Sequence, residues 1–255
     1  MAKRNIIVMG GSTGSFEVFK TIANGLPADL NASIFIVWHM SADIRGVLPA
    51  VLNRVGPLEA IEPRDGDLIE TGKIYVARPD HHLLIDDSHI RITRGPKENR
   101  FRPAIDPLFR SAAYNYGPRV IGIITSGALD DGTSGIWTIK QRGGLTIAQD
   151  PADAEISSIP ESAIQQVKID HIVPASKMAD LITRLVKEEV DETSGAFMQS
   201  QAENEKTKEE IRVAAEENSL PSGTFDLNEL TPFTCPECSG VLARIKDGER
   251  VRFRC

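Results

Sequence analysis

The stretch NIIVMGGSTGSFEVFKTIANGLP, residues 5–27, contains the pattern that decides the fold. Its apolar start, residues 5–9, is typical of a strand that is buried on both faces of a parallel sheet. After a glycine-rich turn, side chains recur at helical spacing from Phe16 to Ala23, and the Gly-Leu-Pro of residues 25–27 ends the helix. The stretch therefore predicts a strand, a turn and a helix, which together form the first unit of an α/β fold.

The same alternation of strand-like and helix-like patterns continues to about residue 187. Residues 65–94 differ, because they hold three strand-like runs and a hairpin turn at residues 86–88. Alternating units predict a doubly wound, mostly parallel sheet with an inserted antiparallel hairpin. Further strands are expected at residues 33–38, 73–77, 82–85, 89–93, 120–124 and 145–148, and helices near residues 44–54, 107–116, 133–141, 160–166 and 176–187.

Composition narrows the classes of function. The chain has 255 residues, of which 41% are hydrophobic and 25% are charged, as is typical of a soluble globular protein. A formal net charge of −7 disfavours nucleic acid as the main partner. No apolar run approaches the roughly 18 residues that span a bilayer, so we expect no direct membrane insertion. The first 234 residues contain no cysteine, which favours a reducing compartment and predicts a cytoplasmic protein.

The turn GGSTGS, residues 10–15, is the first segment that could carry chemistry. It places Ser12 or Thr13 at a helix N-terminus, where unpaired backbone N–H groups suit the oxyanion that a nucleophilic serine generates. Alternatively, Ser12 only caps the helix. A phosphate-binding loop is disfavoured, because a dinucleotide fingerprint needs glycines where Ser12 and Ser15 stand, and the Gly-Lys pair of a P-loop is absent.

Two further polar segments follow predicted strands at the same edge of the sheet. His39 ends the strand in FIVWHM, and Asp130 and Asp131 lie in ITSGALDDGTSG, residues 124–135. Loops converge where the carboxyl ends of parallel strands meet. A histidine there could accept the serine proton, and an aspartate could orient the imidazole. The structural alternatives are a histidine that only packs, an aspartate that caps a helix, and an aspartate pair that binds a metal.

The order of these segments resembles the catalytic domain of the chemotaxis receptor methylesterases, the CheB family. Besides GGSTGS, the strand ending in HM and SGALDDG, the segments YVARPDHHLLID, FRPAIDPLFRSAA and GGLTIAQDPADAEISSIPESAI fit as well, and the resemblance covers roughly residues 4–187. It implies the three-layer αβα fold of that domain. It also implies hydrolysis of glutamate γ-methyl esters on a methylated chemoreceptor or similar methylated protein, often with deamidation of glutamine, and no cofactor for catalysis.

The resemblance also implies roles for individual residues. Ser12 would be the nucleophile, and His39 would be the general base. The family's loop pattern, Gly-Met-Gly-x-Asp-Gly, aligns with residues 127–132, and this alignment makes Asp131 the third member of the triad rather than Asp130.

Backbone N–H groups near Thr13 and Ala128 would then form an oxyanion hole, and Arg102 would contact the substrate. Three features depart from the family, and one of them is the C-terminal extension, which is not part of the minimal enzyme. Ala128 and Leu129 replace its usual Met and Gly, so Leu129 would strain the site if the loop needs a positive φ there. No receiver domain precedes the first strand, so the usual control by phosphorylation would be missing. The alternative functions are therefore a catalytically weakened interaction module of the same family and, less favoured, a nucleotide-binding α/β domain.

Three regions follow from these patterns, with the catalytic domain at residues 1–190. Residues 191–230 contain ten acidic and three basic residues and few apolar ones, which favours a flexible acidic linker over a charged helix. Residues 231–255 resemble half of a zinc ribbon, in which a fourth ligand is missing. The candidate zinc ligands are Cys235, Cys238 and Cys255.

Overall fold

A seven-stranded parallel sheet forms the centre of the protein's larger unit. The computed structural model describes residues 2–39, 46–192, 201–215, 230–234, 241–247 and 250–254. The chain divides into two units, Met1–Glu217 and Asn218–Cys255. The strands of the larger unit are β1 (Ala2–Lys3), β2 (Ile6–Gly11), β3 (Ser33–Trp38), β4 (Glu59–Ile61), β5 (Lys73–Val76), β6 (His82–Asp86), β7 (His89–Thr93), β8 (Val120–Ile124), β9 (Leu145–Gln149), β10 (His171–Val173) and β11 (Glu189–Val190).

The central sheet has the order β10-β9-β8-β2-β3-β5-β4, and every neighbouring pair of strands is parallel. All residues of β2 and β8 are buried, as their continuous apolar sequences predict. β2 lies between β3 and β8, because Ile6 pairs with Ser33 on one side and with Val120 on the other. The carboxyl ends of these three strands therefore meet at one edge of the sheet.

Helices cover both faces of the sheet and complete three layers. They are α1 (Ser15–Gly25), α2 (Val47–Val55), α3 (Ile105–Tyr116), α4 (Thr133–Gln141), α5 (Ser158–Gln166), α6 (Ala175–Leu185) and α7 (Gln201–Ala215). One buried apolar cluster joins the sheet to α1, α2 and α6, and a second joins its other face to α3, α4 and α5. The predicted doubly wound αβα fold is confirmed. None of these described helices combines the length and the apolar character that a bilayer crossing requires.

The predicted antiparallel hairpin is also present, as β6 and β7. Its pairing runs from His82 opposite Thr93 to Asp86 opposite His89, and Asp87 in the turn has a φ of 51°. The apolar side chains of the hairpin belong to the buried cluster that α3, α4 and α5 share. The hairpin therefore packs against the face of the sheet that α3 covers.

Residues 201–215 form the helix α7, where the sequence favoured a flexible acidic linker. That expectation is wrong for this stretch, since Val213 and Ala214 are buried and Glu210 is 8% exposed. The helix needs few apolar residues because its buried carboxylate meets a buried cation, the guanidinium of Arg110 in α3, at 3.2 Å. Composition alone does not reveal such a partner. The other predicted region boundaries stay predictions.

Three antiparallel strands form the described part of the smaller unit. They are β12 (Leu230–Thr234), β13 (Val241–Asp247) and β14 (Arg250–Arg254). The strands pair in that order, with β13 in the middle. Cys235, Cys238 and Cys255 lie outside the described residues, so the zinc site stays a prediction.

Candidate active site

Three neighbouring loops at one edge of the sheet carry the predicted triad. Ser12 follows β2, His39 follows β3, and Asp131 lies in the loop between β8 and α4. Hydrogen bonds join these loops laterally. The backbone N–H of His39 donates to the Gly11 carbonyl at 3.0 Å, and the Ser12 N–H donates to the Ser126 carbonyl at 2.9 Å. The serine loop therefore lies between the histidine loop and the aspartate loop.

His39 and Asp131 form a buried hydrogen-bonded pair. Nε2 of His39 lies 2.7 Å from Oδ2 of Asp131, and the two side chains are 3% and 0% exposed. An ionised carboxylate only accepts hydrogen bonds, so it keeps the proton of the neutral imidazole on Nε2 and leaves the lone pair on Nδ1. Nδ1 is buried and has no hydrogen-bond partner among the described residues. This nitrogen is therefore the one that can take up a proton.

Three N–H donors besides His39 surround the Asp131 carboxylate. The backbone N–H groups of Ile105 and Asp106 lie 2.7 and 3.3 Å from its oxygens, and Nδ2 of Asn99 lies 2.7 Å away. Ile105 and Asp106 are the first two residues of α3, where unpaired N–H groups and the helix dipole stabilise negative charge. These contacts offset the cost of burying a carboxylate.

A tight turn at residues 98–101 lies beside this pair. The backbones of Glu98 and Phe101 exchange hydrogen bonds of 3.1 and 2.9 Å across it, and Asn99 and Arg100 have φ angles of 51° and 73°. Two consecutive positive φ angles are the geometry of a type I′ hairpin turn. None of the elements predicted from the sequence includes this turn. Its one sequence signal is the asparagine, which adopts positive φ more readily than most residues.

The turn supplies two side chains to the site. The Asn99 amide donates to Asp131 at 2.7 Å and to Oδ2 of Asp106 at 2.9 Å. The ring of Phe101 stacks on the ring of His39, with 3.7 Å between the centroids and 9° between the planes. The turn thus contacts both members of the buried pair, one through a hydrogen bond and one through a ring face.

Trp38, Ser15 and Gly127 contact Ser12 and fix its loop. The Ser12 carbonyl accepts hydrogen bonds of 3.1 Å from Nε1 of Trp38 and from the Ser15 N–H. Gly127 passes so close that a Cβ on it would lie 2.7 Å from the Ser12 Cβ. Within the described residues, no hydrogen bond joins the Ser12 hydroxyl to His39. Catalytic hydrogen bonds are often long in unliganded enzymes and tighten when substrate binds.

Backbone donors near Ser12 can bind an oxyanion. Thr13 and Ala128 are exposed, and in the described part of the chain neither backbone N–H has a hydrogen-bond partner. The N-cap of α1 is Gly14, with a φ of 84°, and no side chain caps the helix. The side chain of Ser12 therefore does not cap α1, which was the structural alternative for this residue. The uncapped N-terminus of α1 adds favourable electrostatics for negative charge.

Leu129 has a left-handed backbone conformation at the mouth of the site. Its φ is 70°, and the residue is 50% exposed. The loop does need a positive φ here, which glycine adopts freely and which costs a residue with a Cβ about 1–2 kcal/mol. The leucine at this position thus places backbone strain in this loop.

The two adjacent aspartates of this loop have different surroundings. Asp131 is fully buried against His39, whereas Asp130 is exposed. The part of the chain that the structure describes holds no group of three or more His, Cys, Asp or Glu side chains that could bind a metal. Of the two carboxylates, Asp131 is the one that contacts the histidine.

The predicted substrate contact, Arg102, is engaged by the protein itself. Its guanidinium donates to Oδ1 of Asp80 at 2.7 and 3.0 Å, and to the carbonyls of Gly95 and Arg94 at 2.8 and 3.2 Å. Its side chain is 16% exposed. A substrate would have to compete with these bonds, so a substrate contact at Arg102 stays a prediction.

Comparisons with known proteins agree on one family. A family model described as CheB methylesterase matches residues 7–182. A relative from Leptospira interrogans is 38% identical over 180 residues, which are 70% of this chain and 93% of that protein. The protein-glutamate methylesterase/protein-glutamine glutaminase 2 of Methanosarcina mazei is 33% identical over 192 residues, which are 72% of this chain but only 52% of that protein. The crystal structure of the Thermotoga maritima CheB methylesterase catalytic domain, 30% identical, has a TM-score of 0.69 and covers 73% of this chain and 100% of its own.

Proposed function

This chain belongs to the CheB methylesterase family, and on that basis we propose that it hydrolyses glutamate γ-methyl esters on a methylated chemoreceptor or a similar methylated protein. The triad in this proposal is Ser12, His39 and Asp131. The observation that carries it is the buried hydrogen bond between His39 and Asp131 beside the serine loop. A base oriented by a third group, next to a hydroxyl, is the arrangement that activates a serine nucleophile.

In the acylation step, Nδ1 of His39 removes the hydroxyl proton of Ser12. The Ser12 oxygen then forms a bond to the γ-ester carbonyl carbon, and the carbonyl oxygen takes up negative charge. The backbone N–H groups of Thr13 and Ala128 stabilise that oxyanion. The bond from carbon to methoxy oxygen breaks, and His39 returns its proton to the leaving group, which departs as methanol.

Deacylation uses the same groups in the reverse order. His39 takes a proton from water, the water oxygen attacks the acyl carbon, and Ser12 leaves with the proton that His39 returns. Asp131 remains ionised and stabilises the imidazolium that forms in each step. If the substrate is a glutamine side chain instead, the same acyl-enzyme forms with ammonia as the leaving group, and this accounts for deamidation by the same site.

We also propose a cytoplasmic location. The absence of cysteine from the first 234 residues suits a reducing compartment, in which thiols stay reduced.

One specific observation favours a second candidate function, a catalytically weakened interaction module of the same family. Leu129 holds a strained positive φ where the family pattern has glycine. A loop reshaped by that strain would leave the Ala128 N–H misplaced for the oxyanion and would lower turnover without changing the fold.

Methanol release from a methylated chemoreceptor separates the two candidates. We expect release by the wild type and its loss in Ser12→Ala, because the mutant lacks the nucleophile. Ser88→Ala is the matched control, since Ser88 is an exposed serine in the β6–β7 turn, and its rate should equal that of the wild type. A serine-reactive fluorophosphonate should label the wild type and the control but not Ser12→Ala.

A well-folded wild type that releases no methanol from several methylated receptors would contradict the esterase proposal. The weakened-module candidate would then be favoured, and Leu129→Gly would test whether the strained loop is the cause. Release that persists in Ser12→Ala would instead contradict the assignment of the nucleophile.

A further inference from the structure

A fully buried arginine links α7 to the catalytic domain. Arg110 of α3 is 1% exposed, and its Nη2 lies 2.7 and 2.5 Å from the two carboxylate oxygens of Glu98. Its Nε lies 3.2 Å from Oε2 of Glu210 in α7. Burial acts to lower the pKa of Arg110, but the negative charges of Glu98, Glu210 and Asp106 outweigh it and hold the pKa above its ordinary value. The guanidinium therefore stays charged between carboxylates from two different segments.

Glu98 begins the turn that supports the catalytic pair. One residue further, Asn99 donates to Asp131, and Phe101 stacks on His39. A carboxylate that is anchored by Arg110 thus fixes the first residue of a turn whose next two residues, Asn99 and Arg100, have to hold a left-handed backbone. Contacts consequently run without a break from α7 to the histidine and the aspartate.

The carboxyl end of α7 contacts the segment just before this turn as well. The Thr93 hydroxyl donates to the Ala214 carbonyl at 2.7 Å. Gly95 lies so close to α7 that a Cβ on it would be 2.2 Å from the same carbonyl oxygen. The helix therefore covers both the buried arginine and the strand end that leads into the turn.

Burial of the Arg110–Glu98 pair under α7 matters because an ion pair is weaker in water than in a protein interior. The attraction between two charges falls as the surrounding dielectric constant rises, so the pair of Arg110 and Glu98 holds the turn more firmly while α7 excludes water from it. α7 lies outside residues 7–182, the part of the chain that the family model matches. Its effect on the site is therefore a property of this chain that the family match does not include.

We propose that α7 is a positioning element of the catalytic site, in which Glu210, acting through Arg110 and Glu98, keeps Asn99 on Asp131 and Phe101 on His39. This inference rests on the proposed function only for the effect that it predicts on kcat. The geometry of the histidine–aspartate pair can be measured without any substrate.

The test is proton NMR of the full chain, which detects the proton that Nε2 of His39 shares with Asp131. We expect a far-downfield resonance in the wild type, assigned by its loss in Asp131→Ala. In Glu210→Gln the resonance should broaden or disappear through faster exchange with water, because the turn no longer holds the pair. Glu205→Gln is the matched control: it removes the same charge from the exposed side of α7 and should leave the resonance unchanged.

Turnover gives a second readout. Glu210→Gln should lower kcat about 2- to 30-fold with KM unchanged, the range for substitutions along a coupled network. Adding it to Asn99→Ala should cost less than the product of the two single losses, because both act through one turn. If the two substitutions acted independently, the fold-loss in kcat of the double variant would equal the product of the two single losses. If Glu210→Gln does not fold, Glu210→Asp, which keeps the charge on a shorter stem, should give an intermediate effect on both readouts.

An unchanged resonance together with an unchanged kcat in a folded Glu210→Gln protein would overturn the inference. A wild type that shows the resonance, loses it in Glu210→Gln and yet releases no methanol would support the inference while contradicting the proposed function. The two failures are therefore distinguishable.

Discussion

The ring of Phe101 lies flat on the ring of His39, with centroids 3.7 Å apart and planes within 9° of parallel. The same imidazole donates to Asp131 from Nε2 at 2.7 Å. A ring face and a hydrogen bond together fix both the plane of the imidazole and its rotation in that plane. Because the base is already held in one orientation when substrate binds, less entropy is lost in reaching the transition state.

Replacing this ring should slow catalysis more than it weakens binding. We expect Phe101→Leu to lower kcat about 2- to 13-fold with KM little changed, since aromatic contacts contribute about 0.5–1.5 kcal/mol beyond the area they bury. Steady-state methanol release measures both constants. The exposed Phe233 of β12 provides a control, and Phe233→Leu should behave as wild type. A rise in KM at constant kcat would show that the ring contacts substrate rather than orienting the base.

The adjacent aspartates allow a test of the triad register. Asp131→Asn should lower kcat by about 10⁴-fold, because an amide facing Nε2 no longer keeps the imidazole in the required tautomer. Asp130→Asn should have a far smaller effect, since Asp130 is exposed. The comparison uses kcat for methanol release by both variants, after circular dichroism shows that each is folded. Losses of equal size would refute the assignment of Asp131.

The strained backbone of Leu129 should be a measurable cost to stability. Leu129→Gly is expected to raise the free energy of unfolding by about 1 kcal/mol, because glycine adopts its φ of 70° without steric conflict. Urea denaturation measures the change. Leu68→Gly is the control, as another exposed leucine that is not at a positive φ, and it should destabilise the protein. Stabilisation by both substitutions would contradict strain at Leu129.

His82 should make stability depend on pH. Burial lowers its pKa below the ordinary 6.5, its Nε2 donates to the Pro96 carbonyl at 2.9 Å, and its Nδ1 lies 3.4 Å from the Ala104 N–H. The folded state therefore favours the neutral ring. The stabilisation is fully present above the unfolded pKa of about 6.5 and is lost as pH falls through the lower folded pKa.

We accordingly expect the urea midpoint of the wild type to fall more steeply than that of His82→Gln between neutral pH and mild acid. The glutamine amide can still donate to Pro96 but does not titrate. Parallel curves for the two proteins would show that other groups cause the loss of stability in acid.

The sequence could predict the fold and the edge of the sheet at which the site lies, because both depend on local patterns. Continuous apolar runs identify buried parallel strands, and the carboxyl ends of such strands meet in space. Ser12 and His39 are accordingly expected after neighbouring strands, and β2 and β3 do pair along their whole length. The role of Asp131, in contrast, came from the resemblance to a family, since spacing alone left Asp130 equally open.

The turn at residues 98–101 and α7 could not be predicted in the same way. Asn99 favours positive φ but Arg100 does not, and no periodic pattern marks such a turn. α7 has too few apolar residues for a sequence argument to favour a packed helix. The charge that anchors it, Glu210, has its partner Arg110 far away in the sequence, so only the folded structure reveals the pair.

The position of β2 in the middle of the sheet has a consequence for how activity arises during folding. β2 is near the start of the chain, but its neighbour β8 is far along it, where Ile6 pairs with Val120. Contacts between such distant segments form late. The chain loses conformational entropy when a long loop closes, and the new contacts stabilise it only afterwards. Ser12 and His39 could approach each other as soon as β2 and β3 pair, whereas Asp131 arrives only when β8 docks. A partly folded chain that brings only the serine and the histidine together lacks the group that orients the imidazole, so full esterase activity requires the completed sheet.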